Sequence, residues 1–221
     1  MSGKLIVIEG LDGSGKGTQT KLLINTLTEK NIPHKKISFP DYNDPSSTLV
    51  QMYLRGEFGE DAYAVNAYAA STFYAVDRYA SFFRHWSKDY HTGKHIIADR
   101  YTTSNAVHQT VKLPKEQWDE YLDWLYDFEY DHLRIPKPDL VLYLDMPVEV
   151  SQVLLSGRYK GDESKKDIHE RNTNYLSDCR AAALYAAAHL GWEVIPCAQN
   201  SIPLAMVEIA ETISKKVLGI I

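Results

Sequence analysis

Four apolar residues, Leu5-Ile6-Val7-Ile8, run unbroken and stop at Glu9-Gly10. Such a run predicts a strand buried on both faces, over about 4–9. Helical spacing follows from about Lys16 to Lys30, and Asn31-Ile32-Pro33 ends it. A short strand is expected around Lys35 to Phe39, closing at Pro40. Residues 41–47 are rich in Asp, Asn, Pro and Ser and read as a loop, with a helix from near Ser47 to Gly56. Ala, Tyr and Phe recur at helical spacing through 62–92. His95-Ile96-Ile97-Ala98 is the next strand, ending in Asp99-Arg100-Tyr101. The acidic, aromatic stretch 114–131 reads as a helix packed outside the sheet. Leu140 to Asp145 is a strand, and Pro147 suits the first turn of the helix after it. Gly157 to Lys166 is polar and basic and suggests a mobile loop. A helix from Asp167 to about Leu190 stops at Gly191, and Glu193 to Pro196 and 203–217 are the last strand and helix. Five apolar strands alternating with helices predict an α/β fold, a parallel sheet covered on both faces.

In such a sheet ligands bind beyond the carboxyl ends of the strands. Between the first strand and its helix stands Gly10-Leu11-Asp12-Gly13-Ser14-Gly15-Lys16, then Gly17 and Thr18. The G-x-x-x-x-G-K spacing in that context is that of a phosphate-binding P-loop. Its glycines let backbone N–H groups converge on one phosphate, the helix adds its positive dipole end, and Lys16 adds a mobile charge. The usual Ser or Thr after the lysine is Gly17 here, so the Mg²⁺ hydroxyl falls to Thr18, to water or to another residue. A strand-end acid suits the metal side, and Asp99 and Asp145 both qualify. Arg78, Arg100, Arg158 and Arg171 stand singly around the same edge. That suits a small kinase, which must neutralise a donor triphosphate and an acceptor phosphate held together. No N-K-x-D-like guanine signature occurs.

Composition narrows the classes further. The 221 residues suit one large domain, expected to span 1–221, and 44% hydrophobic residues are ordinary for a globular chain. A formal net charge of −5 argues against a general nucleic-acid or membrane-surface binder. Cys179 and Cys197 lack metal spacing and are expected as reduced thiols in a cytoplasmic protein. No apolar run approaches membrane-spanning length, and no signal-peptide pattern opens the chain.

Taken together, the motifs resemble the thymidylate kinases of the nucleoside monophosphate kinase group. They are Glu9 to Lys16, Phe39-Pro40-Asp41-Tyr42, Phe73-Tyr74-Ala75-Val76-Asp77-Arg78, Asp99-Arg100-Tyr101 with Ser104-Asn105, and Pro138-Asp139-Leu140 leading into Tyr143-Leu144-Asp145. The resemblance implies a P-loop NTPase three-layer sandwich with a five-stranded parallel sheet and a mobile lid at about 157–171. It implies transfer of the ATP γ-phosphate to dTMP with Mg²⁺, and a homodimer. Gly10, Gly13, Ser14, Gly15, Lys16, Gly17 and Thr18 would hold ATP, and Asp99 and Thr18 would serve the metal, directly or through water. Asp12 would face the acceptor sugar and fix Arg100, or cap its own loop. Arg78 and Arg100 would hold the acceptor phosphate, with the base as a further partner for Arg78, or make structural salt bridges. Phe39, Tyr42 and Tyr74 would line the acceptor pocket, Tyr74 stacking on the base, and Asn105 would be a base-contacting amide, with core packing or, for Asn105, helix capping as the plainer roles. His108 stands where many relatives place an aromatic residue against the sugar. Because Gly13 occupies the P-loop position that carries the donor arginine in some members, that role passes to the lid, with Arg158 first and Lys160, Lys165, Lys166 and Arg171 beside it. Glu170, with Asp167 and His169, matches an acidic cluster or is ordinary helix-start chemistry. Another pyrimidine acceptor (dUMP, UMP or a deoxynucleoside) and a non-catalytic nucleotide-binding regulator are the rival readings.

Overall fold

The computed structural model describes residues 2–59, 61, 63–158 and 173–221, and the backbone alone of Arg158 and Thr173. Five parallel strands form the sheet: β1 (Leu5–Gly10), β2 (His34–Ser38), β3 (His95–Asp99), β4 (Leu140–Asp145) and β5 (Glu193–Pro196), in the order β2-β3-β1-β4-β5. β1 is central and buried along its whole length. Its register pairs Ile8 with Asp99 on one side and with Leu142 on the other.

Alternation along the strands divides the core in two. Leu5 and Val7 point to the face covered by α3 (Ala67–Ser81), α5 (Thr103–His108), α6 (Trp118–Tyr126) and α8 (Thr173–Leu190). Ile6 and Ile8 point to the face covered by α1 (Lys16–Glu29), α7 (Val148–Arg158) and α9 (Met206–Leu218). Leu23 and Leu27 of α1 and Ile209, Ile213 and Val217 of α9 recur at helical spacing and enter that second core. Among the described residues no helix is long and apolar enough to cross a membrane.

The expected strands appear within a residue or so, but several helices differ. The segment expected as a helix from residue 62 begins at Ala67, because the Asn66 side chain caps it through the Ala69 N–H. It then widens into a π-helical turn over Phe82–Trp86. The helix expected from Ser47 is preceded by a 3-10 turn at Pro45–Ser47, runs as α2 (Thr48–Leu54), and closes at Gly56 with a positive φ of 80°. The last helix starts later than expected, because Ile202–Pro203 folds back on Ala198–Gln199 as a small hairpin. Tyr121, Leu122 and Leu125 of α6 belong to the first core cluster, and α6 continues into a second π-helical turn, Asp127–His132.

Candidate active site

The P-loop lies between the end of β1 and the start of α1. Gly15 caps α1 with φ 88°, a left-handed conformation that glycine adopts readily. Gly13 has φ 81°, and a Cβ there would lie 2.6 Å from the Ser151 carbonyl oxygen and 2.9 Å from Leu155 Cγ. The loop is thus pressed against α7, and position 13 has no room for a side chain. Lys16 lies back across the loop, donating to the Leu11 carbonyl at 2.8 Å and reaching Asp12 at 3.4 Å. Burial, with Arg100 nearby, lowers the pKa of its ammonium against the pull of Asp12, Glu9 and Asp99.

Arg100 is the centre of the polar network. Its backbone is left-handed, with φ 69°, a conformation costing on the order of 1–2 kcal/mol for an ordinary residue. Its N–H bonds the Ile8 carbonyl at 3.2 Å. One guanidinium nitrogen meets Asp12 at 2.6 Å. The other meets Glu9 and Ser104 at 3.2 Å and His108 Nε2 at 3.4 Å. Glu9, fully buried at the end of β1, also accepts from the Thr103 and Ser104 hydroxyls. Burial opposes the charge on Asp12, but Arg100, Lys16 and His108 outweigh it and hold the carboxyl well below the usual range. Burial likewise opposes the Arg100 cation, and Asp12, Glu9 and Asp99 outweigh it.

Two cavities meet at this network. The larger, about 910 Å³, is lined by Asp12 to Gln19, Asp99 and the approach to α9 from Pro203 to Met206. The smaller, about 140 Å³, is lined by Asp12, Phe39, Tyr42, Tyr74, Arg78, Arg100, Asn105 and His108, so it gathers the expected acceptor-side residues. Asp12, Phe39 and Arg100 line both. Gly10 lines neither. It sits where a Cβ would come within 2.6 Å of Ser14 Oγ and 2.9 Å of the Leu144 carbonyl, so it lets the loop turn.

Of the two strand-end acids, Asp99 faces the larger cavity, while Asp145 is held by Arg180 through two bonds of 2.6 and 2.8 Å. Phe39 is both core and lining: it packs on Tyr101 at 5.8 Å, and its peptide bond to Pro40 is cis. Tyr74 meets Tyr53 edge-on at 6.3 Å. The polar loop after Pro40 is tied down by buried Asp77, which accepts from the Asp41 N–H at 3.0 Å and the Ser46 hydroxyl at 2.6 Å. His108 lies between Arg100 and Cys179, whose sulfur is 3.6 Å from Nδ1.

Arg78 lines the smaller cavity but is almost wholly buried, and its Nε and Nη2 bond Glu129 at 2.6 and 2.5 Å. Burial works against its cation, yet Glu129 raises the pKa. Sequence reading quoted Glu9 within the P-loop motif but gave no role to it, to Glu129 or to Gln109, the last another buried lining residue. Lys160, Lys165, Lys166, Asp167, His169, Glu170 and Arg171 of the expected lid lie outside the described residues, as does the side chain of Arg158.

The family model for thymidylate kinase matches residues 8–209. The chain belongs to the thymidylate kinase family. A thymidylate kinase of Mycobacterium tuberculosis is 30% identical over 192 residues, covering 85% of this chain and 87% of that protein. One from Caenorhabditis elegans is 31% identical over 159 residues, covering 67% and 66%. The solved thymidylate kinase of Candida albicans shares the fold with a TM-score of 0.72 at 22% identity, covering 99% of this chain and 92% of that one. The family reaction is phosphotransfer that converts dTMP to dTDP, with ATP as donor. The expected family, α/β fold and reaction agree with these comparisons.

Proposed function

We propose that residues 1–221 work as one kinase domain, with ATP in the larger cavity and dTMP in the smaller one. The observation that carries this reading is the Asp12–Arg100 pair in the wall the two cavities share. A phosphate oxygen of dTMP attacks the γ-phosphorus as the bond to the β,γ-bridging oxygen breaks, in line and with no covalent enzyme intermediate. Lys16 swings from the Leu11 carbonyl to the donor phosphates. Arg100, pre-oriented by Asp12 and Glu9, holds the acceptor phosphate and stabilises charge on the group in flight. Asp12 also accepts from the sugar 3′-hydroxyl. Arg158 supplies the donor-side charge that position 13 has no room for.

Asp99 and Thr18 suit Mg²⁺. Both line the larger cavity, and the Asp99 carboxylate lies 3.7 Å from where a Cβ at Gly17 would stand, beside the first turn of α1. A carboxylate and a hydroxyl are the hard oxygen donors this ion takes along with retained waters. When bound, it neutralises charge on the phosphates.

We further propose a cytoplasmic homodimer. Val76, Tyr79 and Phe83 are exposed along one face of α3 and its continuation, and sedimentation should give twice the chain mass, reduced to one by Phe83→Glu. The reaction itself is tested by ADP release from Mg-ATP with dTMP, dUMP, UMP, dCMP, dAMP and thymidine. The highest kcat/KM is expected with dTMP. Equal turnover of thymidine, which brings no phosphate, would contradict the acceptor assignment.

A further inference from the structure

The segment after α6 carries a buried acid that the transfer chemistry does not use. Asp127, Asp131 and His132 of its π-helical turn are exposed, whereas Glu129 is fully buried and turned inward. Its carboxylate collects four side-chain contacts: Arg78 Nε and Nη2, the Thr102 hydroxyl at 2.8 Å, and Asn105 Nδ2 at 3.5 Å. Arg78 and Asn105 also line the acceptor cavity.

We propose that Glu129 is a positioning residue that sets acceptor-base specificity, orienting Arg78 and Asn105 so that they read a thymine or uracil edge and reject cytosine. This rests on the assignment of the smaller cavity to the acceptor. Asn105 Nδ2 faces Glu129 and, at 3.2 Å, the Ser71 carbonyl. Both partners are acceptors only, so the amide cannot be reversed there, and its oxygen is turned away from Glu129. Arg78 directs Nε and Nη2 to Glu129, and among the described residues its Nη1 meets the Tyr101 carbonyl at 3.4 Å. The carboxylate therefore fixes which way both side chains face, leaving the Nη1 end of the guanidinium as a donor and the amide oxygen as an acceptor for the cavity. Thymine and uracil present a carbonyl at C4 beside an N3–H, which complements that pair. Cytosine presents an amino group beside a bare N3, which opposes both members, and a site built for one hydrogen-bond pattern rejects its inverse strongly. Ser71 also bonds the Tyr121 hydroxyl at 2.6 Å, so α6 braces the same corner a second time.

The test measures kcat/KM for dTMP and dCMP, and ATP-analogue affinity, in wild type, Glu129→Gln and Glu129→Asp. Aspartate keeps the charge that buried Arg78 needs but withdraws the carboxylate by one methylene. Expected is a dTMP-over-dCMP preference reduced by at least about tenfold in both variants, with a higher dTMP KM and ATP-analogue affinity within about twofold of wild type. An unchanged preference in a variant that still binds ATP overturns the proposal. Loss of ATP binding and of the folded circular dichroism spectrum in both variants would make Glu129 a requirement of folding, and overturns it too. Absence of dTMP turnover in the wild type would strike the acceptor reading on which it rests.

Discussion

The two cavities are built by opposite means. The larger, about 910 Å³, joins a glycine loop, a helix start and Lys16 to an apolar wall that includes Met146, Leu155, Leu204 and Ile209. The smaller, about 140 Å³, is built of side chains already locked to one another: Arg78 by Glu129, Arg100 by Asp12 and Glu9, Asn105 by Ser71. A triphosphate offers many equivalent oxygens, so convergent N–H groups suffice. A nucleobase offers one edge with a fixed donor and acceptor order, so its readers must be held before it arrives. Among the described residues, only Arg100, Asp12 and Phe39 line both cavities.

Removal of the mobile charge should break the donor side most severely. Lys16→Ala is expected to lower kcat by at least about 100-fold, with the acceptor KM little changed; steady-state kinetics with both substrates varied checks this. Gly13→Ala comes next. Its Cβ would meet the Ser151 carbonyl at 2.6 Å from a positive-φ backbone, so the loop must shift from α7. A loss of ATP affinity of about tenfold is expected, with acceptor affinity kept, measured by titration with an ATP analogue.

A pH experiment sharpens the contrast from the acceptor side. Asp12 has its folded pKa depressed below the ordinary 3.8. Its ion pair therefore contributes stability that is fully present above that value and is lost as pH falls through the depressed one. The difference in Tm between wild type and Asp12→Asn should stay constant from about pH 8 to 5 and shrink below about pH 4. The smallest effect concerns the thiols. Burial pushes Cys179 and Cys197 up to about 12, so iodoacetamide at neutral pH should leave both unlabelled by mass spectrometry and activity intact.

The same contrast runs through the amino-acid sequence. The donor side is contiguous in sequence, and loop, strand and helix announce themselves within fifteen residues of Leu5. The smaller cavity gathers Phe39, Tyr74, Arg78, Asn105 and His108 from three segments, and it became legible only through their likeness to a family. Glu9 had a local signal, a charge closing an otherwise apolar strand. Glu129 had a fainter one. It stands four residues after Leu125, on the stripe of Tyr121 and Leu125 that enters the core, yet it lies among Asp119, Glu120, Asp123, Asp127 and Asp131. An acid surrounded by acids reads as a solvated face, and only packing shows that this one is inside. Boundaries failed where side chains decide them, as at Asn66, or where the chain folds back, as at Ile202–Pro203.

If Arg100 joins the two sites, it must act on the transfer itself and not only on binding. The direct measurement is the single-turnover rate of γ-phosphate transfer in Arg100→Met, with both ATP and dTMP saturating. A fall of about 10²–10³ relative to wild type is predicted, persisting at any acceptor concentration. A rate that returns to the wild-type value once dTMP saturates would make Arg100 a binding residue alone and contradict the shared wall as the place where the two substrates meet.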